Sequence, residues 1–153
     1  MYYKVMKVKH KIYLGSDHAG YKEKEKLKKY LLKTKHVCLD VSRKYKENDD
    51  YPDIAHDLAK KLKKDKDKKS VGILICGSGI GMCIAANKNK GIRAAQIYDK
   101  FTARTSKSHN NLNVACLRAR EFRFGKMKKL ANVWLDSTFS NERRHKRRIE
   151  KLE

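Results

Sequence analysis

Short apolar runs alternate with longer amphipathic segments along the chain, and this alternation predicts a parallel α/β protein. The run VGILIC at 71–76 is apolar throughout, as expected for a strand that is buried on both faces. Strands that alternate with helices favour a parallel sheet with helices on both sides. The pattern therefore predicts one α/β domain of three layers around a five-stranded sheet. The runs that predict its strands are 11–15, 36–41, 71–76, 92–97 and 114–117.

Segments with apolar residues at helical spacing lie between these runs. Pro52 fits the first turn of a helix, because its missing N–H would have no partner there. The polar stretch 42–50 predicts a loop, and residues 1–10 predict an N-terminal extension to a domain that covers 11–153. The expected helices are 21–32, 52–62, 82–87 and 122–135, with a polar helix or loop at 102–109 and a basic helix at 143–152.

Length and composition exclude several classes of protein. No apolar run approaches the ~20 residues that a membrane span needs, so no membrane partner is expected. The first ten residues lack the continuous apolar stretch of a secretory signal, which favours a cytoplasmic protein. The four cysteines lie far apart, and no Cys or His cluster has zinc spacing. Neither a disulfide framework nor a metal site is therefore expected.

The chain carries an unusually large positive charge. It has 39 Lys and Arg against 17 Asp and Glu, a formal net charge of +22. Such a charge fits either a surface that binds polyanions or a lysine-rich composition that favours solubility. No aromatic RNA-binding motif, KH loop or zinc knuckle is present, so specific nucleic-acid binding is not expected. The dense patch at 60–69 is interpreted as a solvated helix end and loop.

Residues capable of chemistry follow several of the predicted strands. Asp17 and His18 follow the first, Cys76 ends the third, and His109 lies between the fourth and the fifth. Ligands of open α/β sheets bind at the carboxyl ends of the strands. We therefore expect the acid, the imidazole and the thiol to meet at one edge of the sheet.

The loop after Cys76 is the segment GSGIG at 77–81. Its glycines let backbone N–H groups approach an oxyanion, and the start of the following helix adds partial positive charge. Its spacing fits neither the dinucleotide fingerprint nor a P-loop, and a plain tight turn is the alternative. Cys76 is then a thiolate base or nucleophile, or else a buried structural cysteine. Cys38, Cys83 and Cys116 are interpreted as structural.

Three further groups have both a functional and a structural interpretation. His109 suits acid–base chemistry near neutral pH, or it is simply solvated. Asp17 suits either an acid or a helix N-cap. Arg144 and Arg148 share a helix face and can grip a phosphate, or they belong to a solvated basic helix.

Taken together, these segments resemble the sugar-phosphate isomerases of the type B ribose-5-phosphate isomerase family, which also includes galactose-6-phosphate isomerase subunits. The resemblance implies a Rossmann-like parallel sheet, and dimers or dimer-built tetramers with active sites shared between subunits. It also implies interconversion of ribose 5-phosphate and ribulose 5-phosphate, in the non-oxidative pentose phosphate pathway, with no cofactor or metal. The matching segments are GSDHAGYKEKEKL (15–27), DYPDIA (50–55), GILICGSGIGMCIAANKNKGIRAA (72–95), SHNNLNV (108–114) and RRHKRRIE (143–150).

The resemblance assigns the proton transfers to residues at the predicted strand ends. Cys76 matches the family's base, which moves a proton between C1 and C2 of the sugar. Asp17 and His109 match residues that handle the ring oxygen and open the furanose. Ser78, a threonine in many members, keeps the hydroxyl at its position. The loop that holds the developing enediolate oxygen comprises Gly77, Ser78, Gly79, Ile80 and Gly81.

The resemblance also implies where the rest of the substrate binds. Arg144 and Arg148 match the phosphate ligands, with His18 close by. By analogy, His109 and some of the phosphate ligands come from different subunits. The remaining matches are Asn110, for a substrate hydroxyl, and Arg120, a further substrate-binding arginine.

Three other functions remain open from the sequence. Six-carbon substrates such as allose or galactose 6-phosphate are possible, because the sequence does not give the depth of the pocket. The positive charge leaves a protein that binds RNA or an acidic partner as a second class. A family member without activity is the third, which is disfavoured because each matched site position carries a competent residue.

Overall fold

A computed structural model describes residues 9–153, so the predicted extension at 1–10 lies outside the described residues except for its last two. One parallel sheet has the strand order β2-β1-β3-β5-β4. Its strands are β1 (Lys11–Ser16), β2 (Val37–Asp40), β3 (Val71–Cys76), β4 (Ala94–Gln96) and β5 (Val114–Arg118). The helices are α1 (Tyr21–Lys33), α2 (Tyr51–Lys64), α3 (Ile80–Asn87), α4 (Lys100–Asn110), α5 (Phe124–Asp136) and α6 (Arg143–Glu150).

Two apolar layers cover the sheet, one on each face. Strand β3 is buried at every position, and its side chains alternate between the layers. Ile73 and Ile75 pack against α1, α4 and α5, whereas Leu74 packs against α2 and α3. Trp134 is the largest fully buried side chain of the first layer, and Met82 is fully buried in the second. The predicted α/β/α sandwich with a Rossmann-like sheet is confirmed.

The boundaries of β4 and α4 differ from the prediction for local reasons. Strand β4 is shorter than the run 92–97, because Ile92 closes a turn by donating its N–H to the carbonyl of Asn89. The polar segment at 102–109 is a helix rather than a loop and begins earlier, because Asp99 caps it by accepting the N–H of Thr102 at 2.7 Å. None of the helices described is long and apolar enough to cross a bilayer.

A buried lysine ties α1 to the end of β2. Lys24 is fully buried and donates to both carboxylate oxygens of Asp40, at 2.9 and 2.8 Å, and to the carbonyl of Ser42. The Ser42 hydroxyl accepts the N–H of Ser16 at 2.8 Å. The pKa of Asp40 is lowered by the hydrogen bonds from Lys24 and Lys28, against the effect of burial. This network fixes the start of the loop at 42–50 on the end of β1.

Two stacked histidines lie at the opposite, amino edge of the sheet. The rings of His10 and His36 stack with centroids 5.4 Å apart. His36 is buried and its Nδ1 atom has no hydrogen-bond partner among the described residues. Burial, followed by the charges of His10 and Lys9, lowers the pKa of His36, with Asp136 opposing the shift. The folded protein therefore favours the neutral ring.

This burial predicts a loss of stability in mild acid. Because the pKa of His36 is lower in the folded than in the unfolded chain, the unfolded chain takes up the proton first as pH falls below about 6.5. The melting temperature is expected to fall between about pH 7.5 and about pH 5.5, and to fall less in His36→Phe, which keeps the stacked ring. The exposed His56 supplies the control, since His56→Gln is expected to follow the parent. Parallel profiles for all three proteins would contradict this account.

Candidate functional site

The strand order reverses between β1 and β3, and the carboxyl ends of the strands at such a point are the usual ligand position in open α/β sheets. Asp17 directly follows β1, and Cys76 is the last residue of β3. Gly20 brings the two segments together, because a Cβ atom there would lie 2.5 Å from the carbonyl oxygen of Ile75. The absence of a side chain at Gly20 therefore lets the segment after β1 sit directly on the end of β3.

The glycine loop turns the chain back over the Cys76 sulfur. Gly79 has a φ of +79°, a left-handed conformation, and its N–H donates to Sγ of Cys76 at 3.1 Å. Helix α3 begins at Ile80, two residues before the predicted start, because the turn at Gly79 completes the reversal. The Ser78 hydroxyl accepts the N–H of Ile80 at 3.2 Å. The Ser78 backbone carbonyl accepts a hydrogen bond from the side-chain amide of Gln96. The loop thus presents N–H groups and a helix start beside a thiol, an arrangement that stabilises negative charge.

Two side chains from other elements flank the loop. A Cβ atom at Gly81 would lie 2.6 Å from the ring of Tyr51, and one at Gly77 would lie 3.2 Å from the guanidinium of Arg120. Arg120, which the resemblance implies is a substrate-binding arginine, lies beside the loop. Tyr51 was not singled out, although the segment DYPDIA that contains it was part of the resemblance.

Asp17 is buried and adopts the N-cap position of a short 3₁₀ turn at His18–Gly20. Its Oδ1 atom accepts the N–H of Gly20 at 3.0 Å. Burial raises the pKa of Asp17, an effect that the hydrogen bond from Gly20 partly opposes. A carboxyl group that holds its proton more tightly than usual can act as a proton donor. The two interpretations of Asp17, cap and acid, are therefore compatible.

His18 is partly exposed and contacts a carboxylate that the sequence did not reveal. Its ring Nδ1 lies 3.0 Å from Oδ1 of Asp49, and its backbone N–H donates to the same oxygen at 2.8 Å. Asp49 belongs to the loop at 42–50, which has no regular pattern. Sequence spacing gives no signal for a contact that spans 31 residues between a strand end and an irregular loop.

The expectation that His109 lies at the same edge as Cys76 is wrong for a single chain. His109 and Asn110 end α4, which runs back across the sheet to the start of β5. Asn113 marks that edge, because its carbonyl accepts the N–H of Gly72 near the start of β3. Strands of this length separate the two edges by about 17 Å. The chain between two parallel strands runs from the carboxyl edge of the sheet back to the amino edge. The sequence pattern does not show at which of these two edges His109 lies.

The arginines predicted to bind phosphate lie with His109 at the amino edge. The rings of His109 and His145 lie 4.3 Å apart, which places α6 against the end of α4. His145 is buried and its Nδ1 atom lies 2.7 Å from the Ser140 hydroxyl. Burial, followed by the charge of His109, lowers the pKa of His145. On α6, Arg144 is exposed, pairs with Glu142 at 2.8 Å, and shares its helix with Arg148.

The predicted residues thus form two groups on one chain. The carboxyl-edge group contains Cys76, the loop 77–81, Asp17, His18 and Arg120. The amino-edge group consists of His109, Asn110, Arg144 and Arg148. His109 and Asn110 are exposed, so that edge is open to contact. Neither group alone contains all the predicted chemistry.

The cysteines interpreted as structural do not all have the same environment. Cys116 is fully buried, and hydrogen bonding with the Cys116 thiol lowers the pKa of Cys83 to about 7, against the effect of burial. Burial raises the pKa of Cys38 to about 11. Within residues 9–153, no group of three or more His, Cys, Asp or Glu side chains is placed to hold a metal ion.

The chain is similar to known sugar-phosphate isomerases in both sequence and structure. A sequence model described as Ribose/Galactose Isomerase matches residues 12–152. The chain is 40% identical over 142 residues, 92% of each protein, to a probable ribose-5-phosphate isomerase B of Mycoplasma genitalium. It is 40% identical to a D-erythrulose-4-phosphate isomerase of Pectobacterium atrosepticum, over 84% of each protein. The crystal structure of the Mycoplasma genitalium ribose-5-phosphate isomerase B with bound ribulose 5-phosphate superposes with a TM-score of 0.87, at 39% identity, covering 94% of this chain and 93% of that one.

The left-handed turn at Gly79 is expected to make the protein's stability sensitive to a side chain at this position. Gly79→Ala places a Cβ atom 3.0 Å from the backbone carbon of Leu117 and forces alanine into a left-handed conformation, which costs about 1–2 kcal/mol before any clash. Gly91→Ala is the matched control, because Gly91 has a φ of +82° but open space around it. The free energy of unfolding, measured in urea, should fall more for Gly79→Ala than for Gly91→Ala. Equal losses would show that the contact with β5 does not constrain the loop.

Proposed function

The chain belongs to the ribose/galactose isomerase family, and from this premise we propose that it interconverts D-ribose 5-phosphate and D-ribulose 5-phosphate. It is an aldose–ketose isomerase whose substrate is a sugar phosphate. The observation that carries the proposal is the thiol of Cys76 beneath the backbone turn at Gly79, at the carboxyl edge of the sheet. Proton transfer beside a carbonyl requires such a pairing of base and oxyanion donors.

Cys76 is the base in the proposed reaction. The thiolate removes the proton from C2 of the open-chain aldose, the C–H electrons form the C1–C2 double bond, and the carbonyl electrons move to O1. The N–H groups of the loop 77–81 stabilise this enediolate. The thiol proton exchanges with solvent, and transfer of a proton from sulfur to C1, with transfer of the O2 proton to O1, gives the ketose. These steps move only protons, so we propose that the reaction uses no cofactor.

Ring opening is assigned to Asp17 and His109. Because the pKa of Asp17 is raised by burial, its carboxyl group can donate a proton to the ring oxygen. His109 accepts the proton of the anomeric hydroxyl, a transfer that suits an imidazole near neutral pH. Ser78 supplies its hydroxyl at the loop, and Asn110 contacts a substrate hydroxyl.

Phosphate binding is assigned to Arg144 and Arg148, with His18 close by, and Arg120 is a further substrate-binding arginine. Guanidinium groups hold phosphate through paired charge-assisted hydrogen bonds. A phosphate anchored in this way fixes a small sugar, so that its C2 proton lies at the base. His18 and Arg120 belong to the carboxyl-edge group, whereas Arg144 and Arg148 belong to the amino-edge group.

A second copy of the chain completes the site in this proposal. The two groups lie at opposite edges of one sheet, so one copy supplies Cys76 while its partner supplies His109 and the α6 arginines. An exposed apolar patch next to the glycine loop supports such a contact, because solvated patches of this kind mark interfaces. The patch consists of Ile80 and Ile84 on α3, Tyr98 just before α4, and Phe101 in the first turn of α4. The assembly is a homodimer, or a tetramer built from such dimers.

We propose that the protein is a cytoplasmic enzyme with one isomerase domain. The isomerase domain spans residues 11–153, and four free cysteines fit a reducing cytoplasm. The positive charge belongs to the solvated surface, and no specific nucleic-acid partner is proposed. One relative is named for a four-carbon substrate, so the length of the preferred sugar needs a direct test. Comparison of kcat/KM for four-, five- and six-carbon sugar phosphates measures this preference.

Complementation between two inactive variants tests the reaction and the shared site together. Cys76→Ala and His109→Asn should each lower kcat at least about a hundredfold, because each removes an acid–base group. After subunit exchange in an equal mixture, half of the dimers carry one intact site, so about a quarter of the parental activity should return. A mixture of Cys76→Ala with Asp17→Asn is the control and should stay inactive, since both changes affect the carboxyl-edge group.

Each failure has a distinct meaning. Absence of ribose 5-phosphate isomerisation in the parent overturns the proposed reaction. Full activity in Cys76→Ala moves the base elsewhere. An inactive mixture of Cys76→Ala and His109→Asn places His109 and Cys76 of one chain in the same site, against the geometry described above.

A further inference from the structure

The carboxylate of Asp49 holds His18 from two directions. Its Oδ1 atom accepts the backbone N–H of His18 at 2.8 Å and lies 3.0 Å from the ring Nδ1. A carboxylate can only accept hydrogen bonds, so Nδ1 carries the hydrogen and faces Asp49. Within residues 9–153, Nε2 makes no hydrogen bond and is the ring nitrogen left for a ligand. The pair therefore fixes both the position of the ring and the identity of its free nitrogen.

Asp49 is itself held in place. Its side chain is only 13% exposed. The loop that carries it is fixed at one end by the contacts of buried Lys24 with Asp40 and Ser42. At the other end, Asp50 occupies the N-cap position of α2, and its backbone carbonyl accepts the N–H of Asp53. Among the described residues, His18 is the ion-pair partner of Asp49.

We infer that Asp49 is a positioning residue that holds His18 for the substrate's phosphate, an inference that rests on the proposed function. An imidazole that donates through Nδ1 to a carboxylate can also carry a hydrogen at Nε2, because the carboxylate balances the positive charge of the ring. The phosphate then accepts a charge-assisted hydrogen bond from Nε2. Asp49 touches neither the reacting carbons nor the phosphate and acts through His18.

Loss of the Asp49 charge is expected to weaken substrate binding while leaving the rate of the chemical step nearly unchanged. Asp49→Asn keeps the size of the side chain but removes the negative charge beside the His18 ring. We expect KM for ribose 5-phosphate to rise about tenfold, with kcat changed less than about twofold. Glu47→Gln is the matched control, because it removes one negative charge from an exposed position in the same loop. It should leave both constants unchanged.

A double-mutant cycle tests whether Asp49 acts through His18. In a His18→Ala background, Asp49→Asn should add no further increase in KM, whereas a merely structural role would add its full effect. Binding of inorganic phosphate, measured by calorimetry in the four proteins of the cycle, gives a second readout that does not require turnover. Its affinity should fall about tenfold in either single variant and no further in the double variant.

Three results would overturn the inference. The first is an Asp49→Asn protein that matches Glu47→Gln in KM and phosphate affinity. The second is an effect of Asp49→Asn that persists in the His18→Ala background. The third is unchanged phosphate affinity in His18→Ala. A parent that binds phosphate with this pattern but does not isomerise the sugar would overturn the proposed function and leave the pairing intact.

Discussion

The backbone N–H of Gly79 donates to the Cys76 sulfur because the chain turns through a left-handed conformation directly after β3. That contact depends on the absence of side chains, since a Cβ at Gly79 would meet β5 and one at Gly20 would meet the end of β3. The same turn starts α3, whose first residues add partial positive charge beside the sulfur. The sheet, the acid after β1 and the thiol are thus brought together by two close backbone approaches.

The parallel sheet also sets a limit on what one chain can do. Every strand points the same way, so a residue at the end of α4 lies one strand length from a residue at the end of β3. His109 and the α6 arginines are therefore separated from Cys76 by the fold itself. In the proposed assembly this separation becomes useful, because the amino edge of one copy supplies the ring-opening and phosphate groups to the carboxyl edge of another.

The sequence predicted the elements whose cause is local, and it did not predict contacts that depend on irregular loops. The apolar run of β3 and the glycine spacing after it located Cys76 correctly, because both patterns are local. Segment 102–109 was ambiguous because its helix depends on a capping residue, Asp99, rather than on an apolar stripe. Asp49 was missed because its partner is 31 residues away. The resemblance indicated shared sites, whereas the edge of the sheet on which His109 lies required the topology.

The proton path at Cys76 is the central claim, and isomerisation of ribose 5-phosphate in D₂O tests it most directly. A thiolate that carries the proton from C2 to C1 exchanges it with solvent, so deuterium should appear at C1 of the ribulose 5-phosphate formed. Proton NMR of the product measures this incorporation. We expect it in the parent and expect both incorporation and turnover to be lost in Cys76→Ala. Turnover without deuterium, or incorporation that survives Cys76→Ala, would contradict the account.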